Sequence, residues 1–303
     1  MMMADAATTP ANPVRVLRAD TNALRIPLVL DSPHSGTAYP PDFRAAQPIS
    51  ALRSAEDTHV DMLFSHAPKV GASLVCAEFP RSYVDCNRLP TDIDPSMLDM
   101  AWPDPVHASE KTRLGYGLIW RRLDDGSAIY ERSLTVAEVQ ARISDYYAPY
   151  WRALRHEVAT MHTHFGVVYH INCHSMPSCA THASQMPLGT AHADVVLGDR
   201  DGSTAEPEFV DCIEAAFQRA GLIVKRNDPY KGVALVEAFG APSAHSHSVQ
   251  IEINRALYMN EKTRVQNENF SALKSTIDAL LDDISNWIAA RNGCKNRDFP
   301  PAY

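Results

Sequence analysis

Short apolar runs rich in β-branched residues alternate with helical stretches along this chain, and that alternation restricts the fold more than any other feature. The runs are Ile26–Asp31, Ala72–Phe79, Val167–Cys173, Asp194–Gly198, Leu222–Lys225 and Ser248–Ile253. Between them the apolar residues recur at helical spacing over Ser54–Lys69, Leu134–Thr163, Pro207–Ala220 and Asn269–Arg291. Strands that alternate with helices predict one α/β domain built on a mixed, largely parallel central sheet flanked by helices. Residues 1–20 read as a flexible leader and 21–303 as the single domain. Residues 89–132 carry many prolines, glycines and charges and read as an excursion from the core, with Gly115–Arg122 a short strand or a lid.

Composition removes several classes of function. Twenty-eight basic against 36 acidic residues leave a formal charge of −8, the wrong sign for sequence-blind nucleic-acid binding. No stretch approaches the roughly 18 uninterrupted apolar residues of a membrane span. Met1–Asn12 has neither a basic nor an apolar signal-peptide region, so a cytoplasmic chain is expected. Six scattered cysteines without a CxxC pair read as free thiols. Neither GxGxxG, a Walker loop nor GxSxG is present.

Several strands run directly into ionisable residues. His34 follows the first, Asp85, Asn87 and Arg88 the second, and His174 the third, while Glu252 and Arg255 lie near the end of a late one. In a parallel sheet these ends share one edge, where open α/β sheets place their chemistry. Two histidines and an acid suit a catalytic divalent ion with one position open to water. A second carboxylate, Glu252, then handles the proton. The competing readings are bland: a structural histidine at His34, a capping turn at Asp85, and an ion pair between Glu252 and Arg255. His162, His164, His170, His182, His245 and His247 read as surface, loop or core histidines.

The segments SPHSGTAYP (32–40), EDTHVD (56–61), RSYVDCNR (81–88), INCHSMPS (171–178), LGDRDG (197–202) and HSVQIEINRALYMNE (247–261) together resemble the N-formylglutamate amidohydrolases, or deformylases. The resemblance runs from about residue 25 to 290. It implies a zinc-carboxypeptidase-like (phosphorylase/hydrolase-like) fold related to aspartoacylase. It implies His34 and His174 as ligands of one divalent metal, zinc by the donor set, with Asp57 third and Glu56, His59 and Asp61 as rivals. Asn87 and Arg88 match a substrate-holding pair, and Glu252 a catalytic glutamate. Two departures stand out: Thr37 where the wider group has a ligand glutamate, and Asn172 where deformylases often have aspartate.

The implied reaction is hydrolysis of N-formyl-L-glutamate to glutamate and formate, a step of histidine degradation. Glu252 serves as base and acid, and Arg88 stabilises the oxyanion. A small dicarboxylate substrate asks for arginines, first Arg88 and Arg255, then Arg81, Arg122 and Lys231. The alternatives are a deacylase or amidase for another N-acyl amino acid, and a non-catalytic metal- or carboxylate-binding relative. Oligomeric state is open.

Overall fold

The runs LVLDS (Leu28–Ser32) and SLVCA (Ser73–Ala77) lack polar alternation, and a strand of that kind must be covered on both faces. In the computed structural model, which describes residues 12–181 and 186–292, both are buried throughout. They are β2 and β3 of a seven-stranded sheet with β1 (Val14–Leu17), β4 (Val168–Met176), β5 (Val195–Gly198), β6 (Val224–Arg226) and β7 (Ser246–Asn254), in the order β1-β3-β2-β4-β7-β5-β6. The central β3, β2, β4 and β7 are parallel. Antiparallel pairing enters where β1 meets β3 and where β5 meets β7.

Successive side chains of a strand point to opposite faces, and this divides the core in two. Leu28, Leu30, Leu74 and Cys76 face a cluster closed by α2 (Pro207–Arg219) and α4 (Phe270–Asn292). Val29, Val75 and Ala77 face a cluster closed by α1 (residues 136–165) and much of the 79–134 segment. Helix α1 runs from Val136–Arg142 through a π-helical turn, Ile143–Tyr147, to Ala148–Phe165. A capping box of Thr135 and Glu138 starts it. The wider π turn accommodates Pro149, which has no N–H for the helical ladder.

The structure departs from the sequence reading at four places. The leader boundary moves: Val14–Leu17 is an edge strand, secured as Arg15 pairs with Asp61 and Glu78, both at 2.6 Å. Residues 1–11 lie outside the described residues. The helix expected over Ser54–Lys69 is broken into short pieces, including Val60–Leu63 and the 3-10 turn Ala67–Val70, because Asp57 is drawn inward and Pro68 interrupts. A short helix, α3 (Ala234–Phe239), lies where no element was expected. Gly115–Arg122 forms no full strand; a single bridge joins Tyr116 to Trp120. Among the described residues no helix is long and apolar enough to cross a membrane.

Candidate active site and metal centre

The parallel register brings the strand ends together. Asp31 of β2 lies opposite Asn172 of β4, and His174 of β4 opposite Glu252 of β7. Beyond β2 the chain turns at Gly36, where a Cβ would stand 2.4 Å from the backbone of Glu78 and Phe79. Only glycine permits that approach, which packs the His34 turn against the start of the 80–88 loop. The His34 carbonyl accepts from the Asp57 N–H at 3.0 Å, so the 56–61 segment is tied to the same edge.

His34, Asp57 and His174, all buried, converge there. The two Nδ1 atoms are 3.1 Å apart, and Asp57 Oδ2 is 3.1 Å from His174 Nδ1 and 3.4 Å from His34 Nδ1. Tetrahedral zinc with bonds of about 2.0–2.1 Å places its donors about 3.3 Å apart, so these spacings fit such an ion.

The hydrogen bonds around the triad make the same point chemically. His34 Nε2 faces Asp85 at 2.7 Å and therefore carries its proton there. The Asn172 amide donates to Asp31 Oδ1 at 2.8 Å, which turns its own oxygen towards His174 Nε2 at 2.7 Å. With its proton on Nε2, each imidazole presents an Nδ1 lone pair to the other and to a carboxylate oxygen; the Asn87 amide nitrogen also stands 3.1 Å from His174 Nε2. Three acceptors facing one another without a donor call for a cation, and the residues fit a divalent metal. Burial opposes ionisation of Asp57, but in the metal-free protein hydrogen bonds from the imidazoles, and then the Arg255 charge, hold its carboxyl well below the usual range, a role that a bound cation would take over. Burial pushes the His174 imidazole down to about 4, so it is neutral at neutral pH, as a ligand must be.

The rivals of Asp57 are engaged elsewhere. Glu56 accepts from Tyr39, Thr58 and Arg53; His59 meets the Arg264 carbonyl; Asp61 pairs with Arg15. Asn172, the departure from the family pattern, is backed by a carboxylate one step further away. Asp31 also contacts His170 Nε2 at 2.9 Å and accepts from the Tyr150 hydroxyl. His170 is therefore a core histidine, as expected.

Beside the triad opens a cavity of about 330 Å³, lined by His174, Asn87, Arg88, Glu252, Arg81 and Arg255 among others. Glu252 is 8% exposed, bonded to Gln250 at 2.7 Å, and pushed up to about 8 by burial and then by the charge of Asp57. The anticipated ion pair of Glu252 with Arg255 does not form. Arg255 instead donates to Asp57 Oδ1 at 2.8 Å and to Ser175 at 3.2 Å, so it supports the triad. Arg81 likewise pairs with Asp85 at 3.0 Å and covers the Trp120 ring. Asp85 both caps the turn, through the Asn87 N–H, and orients His34.

Arg88 donates through Nε to the Tyr116 carbonyl and through Nη1 to the Asn87 carbonyl, both at 2.8 Å. Asn87 Oδ1 accepts from the Leu235 N–H of α3 at 3.0 Å. Lys231 lines the cavity, whereas Arg122 is exposed and does not. His182 lies outside the described residues.

Three contributors escaped the sequence reading. Asp31 was legible as a carboxylate at the end of an apolar run, which is costly to bury without partners. Lys111 and Tyr230, both lining the cavity, belong to irregular segments that carry no periodic signal.

The chain matches the family described as N-formylglutamate amidohydrolase over residues 26–259. An N-formylglutamate deformylase of Pseudomonas aeruginosa is 28% identical over 87% of this chain and 94% of its own length. One from Pseudomonas putida is 27% identical over 78% and 83%. The crystal structure of an N-formylglutamate amidohydrolase from Ralstonia eutropha JMP134 is 47% identical, superposes with a TM-score of 0.87, and covers 92% of this chain and 99% of that one. The site at the strand ends and the match along most of its length agree: this chain is an amidohydrolase, a member of the N-formylglutamate amidohydrolase family.

Proposed function

We propose that this protein hydrolyses N-formyl-L-glutamate to glutamate and formate with one divalent metal, zinc by its donor set, held by His34, Asp57 and His174. When bound, such an ion lowers the pKa of a water molecule and polarises the amide carbonyl. The protein's own groups do the rest. Glu252, buried beside the triad, takes a proton from the attacking water and returns it to the departing nitrogen. Arg88 Nη2 has no bond to the described protein and is available to a substrate anion. We assign it to the carboxylate next to the scissile amide, with Asn87 locked beside it. The remaining N–H donors of Arg88 leave the expected role at the oxyanion open to it. Asp85 and Asn172 hold the two imidazoles in the tautomer that turns Nδ1 inward.

The observation that supports this reading most is the buried convergence of His34 Nδ1, His174 Nδ1 and Asp57 Oδ2 within 3.4 Å of one another. The cavity volume, at the small end of ligand pockets (roughly 300–1,000 Å³), suits an N-acyl amino acid. The test is elemental analysis of the purified protein together with formate release from N-formylglutamate, with N-acetylglutamate and N-formylaspartate as competitors. Glu252→Gln is expected to keep the metal and lose turnover, and His174→Ala to lose both. Unimpaired hydrolysis by His174→Ala would remove the metal from the account.

A further inference from the structure

Glu252, taken as the base from the reading above, is a buried carboxyl, and only one of its oxygens has a hydrogen-bond partner among the described residues: Oε1 accepts from Gln250 Nε2 at 2.7 Å. Gln250 is 4% exposed, lines the cavity, and stands two residues before Glu252 on β7, so the two side chains rise from one face of the strand. The other atom of its amide, Oε1, is buried and has no hydrogen-bond partner among the described residues.

The neighbours of Gln250 in the sheet supply no donor. It lies opposite Asn172 of β4 and Gly198 of β5. Asn172 turns its oxygen to His174 and its nitrogen to Asp31. At Gly198 the backbone of Tyr230–Gly232 comes so close that a Cβ would stand 2.7 Å from the Lys231 carbonyl carbon. Glu252 therefore sets the orientation of the amide, because the reverse orientation would bring two acceptors face to face. A buried oxygen without a donor costs stability, so the amide gives the fold little that an apolar side chain of equal length would not. Its contribution lies at the carboxyl it holds.

We propose that Gln250 is the positioning residue of the base: its Nε2–H holds Glu252 Oε1 and leaves Oε2 as the oxygen that takes a proton from the attacking water and returns it to the departing nitrogen. The proton passes from water oxygen to Oε2 and from Oε2 to nitrogen. Throughout, Nε2–H donates to Oε1, first as part of a carboxylate and then as the carbonyl of the acid. A carboxyl without this bond is free to turn, and a misplacement of about 1 Å at a reacting group can cost roughly 100-fold in rate. The same bond favours the ionised form of Glu252 against burial and the charge of Asp57.

The experiment compares wild type with Gln250→Met, which keeps the length and loses the donor, and with Gln250→His, which returns a ring N–H. Each is assayed on N-formylglutamate, N-acetylglutamate and N-formylaspartate, with metal content and melting temperature measured beside. Gln250→Met is expected to lose about 10–100-fold in kcat, with KM within about threefold of wild type, and to keep its metal and its melting temperature. Gln250→His recovers part of the rate. An unchanged kcat in Gln250→Met, or a loss carried by KM alone, overturns the assignment. Turnover of N-acetylglutamate or N-formylaspartate but not of N-formylglutamate would sink the proposed substrate, and the kcat loss on the substrate that is hydrolysed would still support Gln250. NMR of the isotope-labelled protein reads the contact without turnover. One Gln250 Nε2 proton is expected well downfield in wild type and to return upfield in Glu252→Ala; a proton that Glu252→Ala does not move overturns the proposal.

Discussion

Replacing Asp31 by Asn should weaken metal binding without touching a ligand. Asp31 is fully buried and meets three groups: Asn172 at 2.8 Å, His170 at 2.9 Å and the Tyr150 hydroxyl. An amide at this position can keep one oxygen towards Asn172 and His170 and turn its nitrogen to Tyr150, whose hydroxyl can rotate to accept. The fold therefore loses about one buried hydrogen bond with a charged acceptor, roughly 1–3 kcal/mol. The specific effect reaches further. Without the carboxylate nothing strong holds the Asn172 oxygen towards His174 Nε2, and the imidazole loses its enforced tautomer. Groups that orient metal ligands typically contribute 10–100-fold in affinity, or about 1.4–2.7 kcal/mol. Chelator competition on the purified variant measures that loss, and thermal melting of the metal-free form measures stability separately. Adding Asn172→Asp to Asp31→Asn puts a carboxylate directly against His174 and should restore much of the affinity. Unaltered metal affinity in Asp31→Asn, or no recovery in the double variant, would refute the relay.

Other outcomes follow from the same geometry. Asp57→Asn should abolish tight metal binding, whereas Glu56→Gln should retain the metal and lose about 1–3 kcal/mol of stability, since Tyr39, Thr58 and Arg53 lose their partner. Metal analysis of the two variants identifies the third ligand, and the reverse result would return Glu56 to that role. In the metal-free protein the Glu252 carboxyl is raised from 4.5 to about 8, so the folded state favours its neutral form. Its contribution to stability is complete below about pH 4.5, declines as pH rises, and is gone above about pH 8. Glu252→Gln should flatten that stretch of the stability–pH curve. A bound divalent ion favours the carboxylate and should shift the titration to lower pH, which carboxyl infrared or NMR titration can follow.

Much of the fold was legible because burial leaves a periodic mark. The runs around Leu28, Ser73, Val168 and Val249 had to be covered on both faces, and each became a central strand. Edge strands were harder. Val14–Leu17 is only four residues long, carries a charged Arg15, and depends on Asp61 and Glu78, far along the chain, for its anchoring. The helix expected at Ser54–Lys69 failed for a related reason. Glu56, Asp57 and Thr58 are almost completely buried, and satisfying them costs the segment its regular helix.

Sequence alone was enough to place His34, His174 and Glu252 at strand ends, because chemistry in a parallel sheet gathers at one edge and apolar runs reveal where strands stop. It also supplied both readings of Arg255 and left four acids and histidines in competition for one ligand position. Tertiary structure decided among them, since a distance between residues far apart in the chain has no local signature. Only folding shows that Arg255 is held by Asp57, that Asp31 stands behind Asn172, and that Arg88 is anchored on the Tyr116 carbonyl.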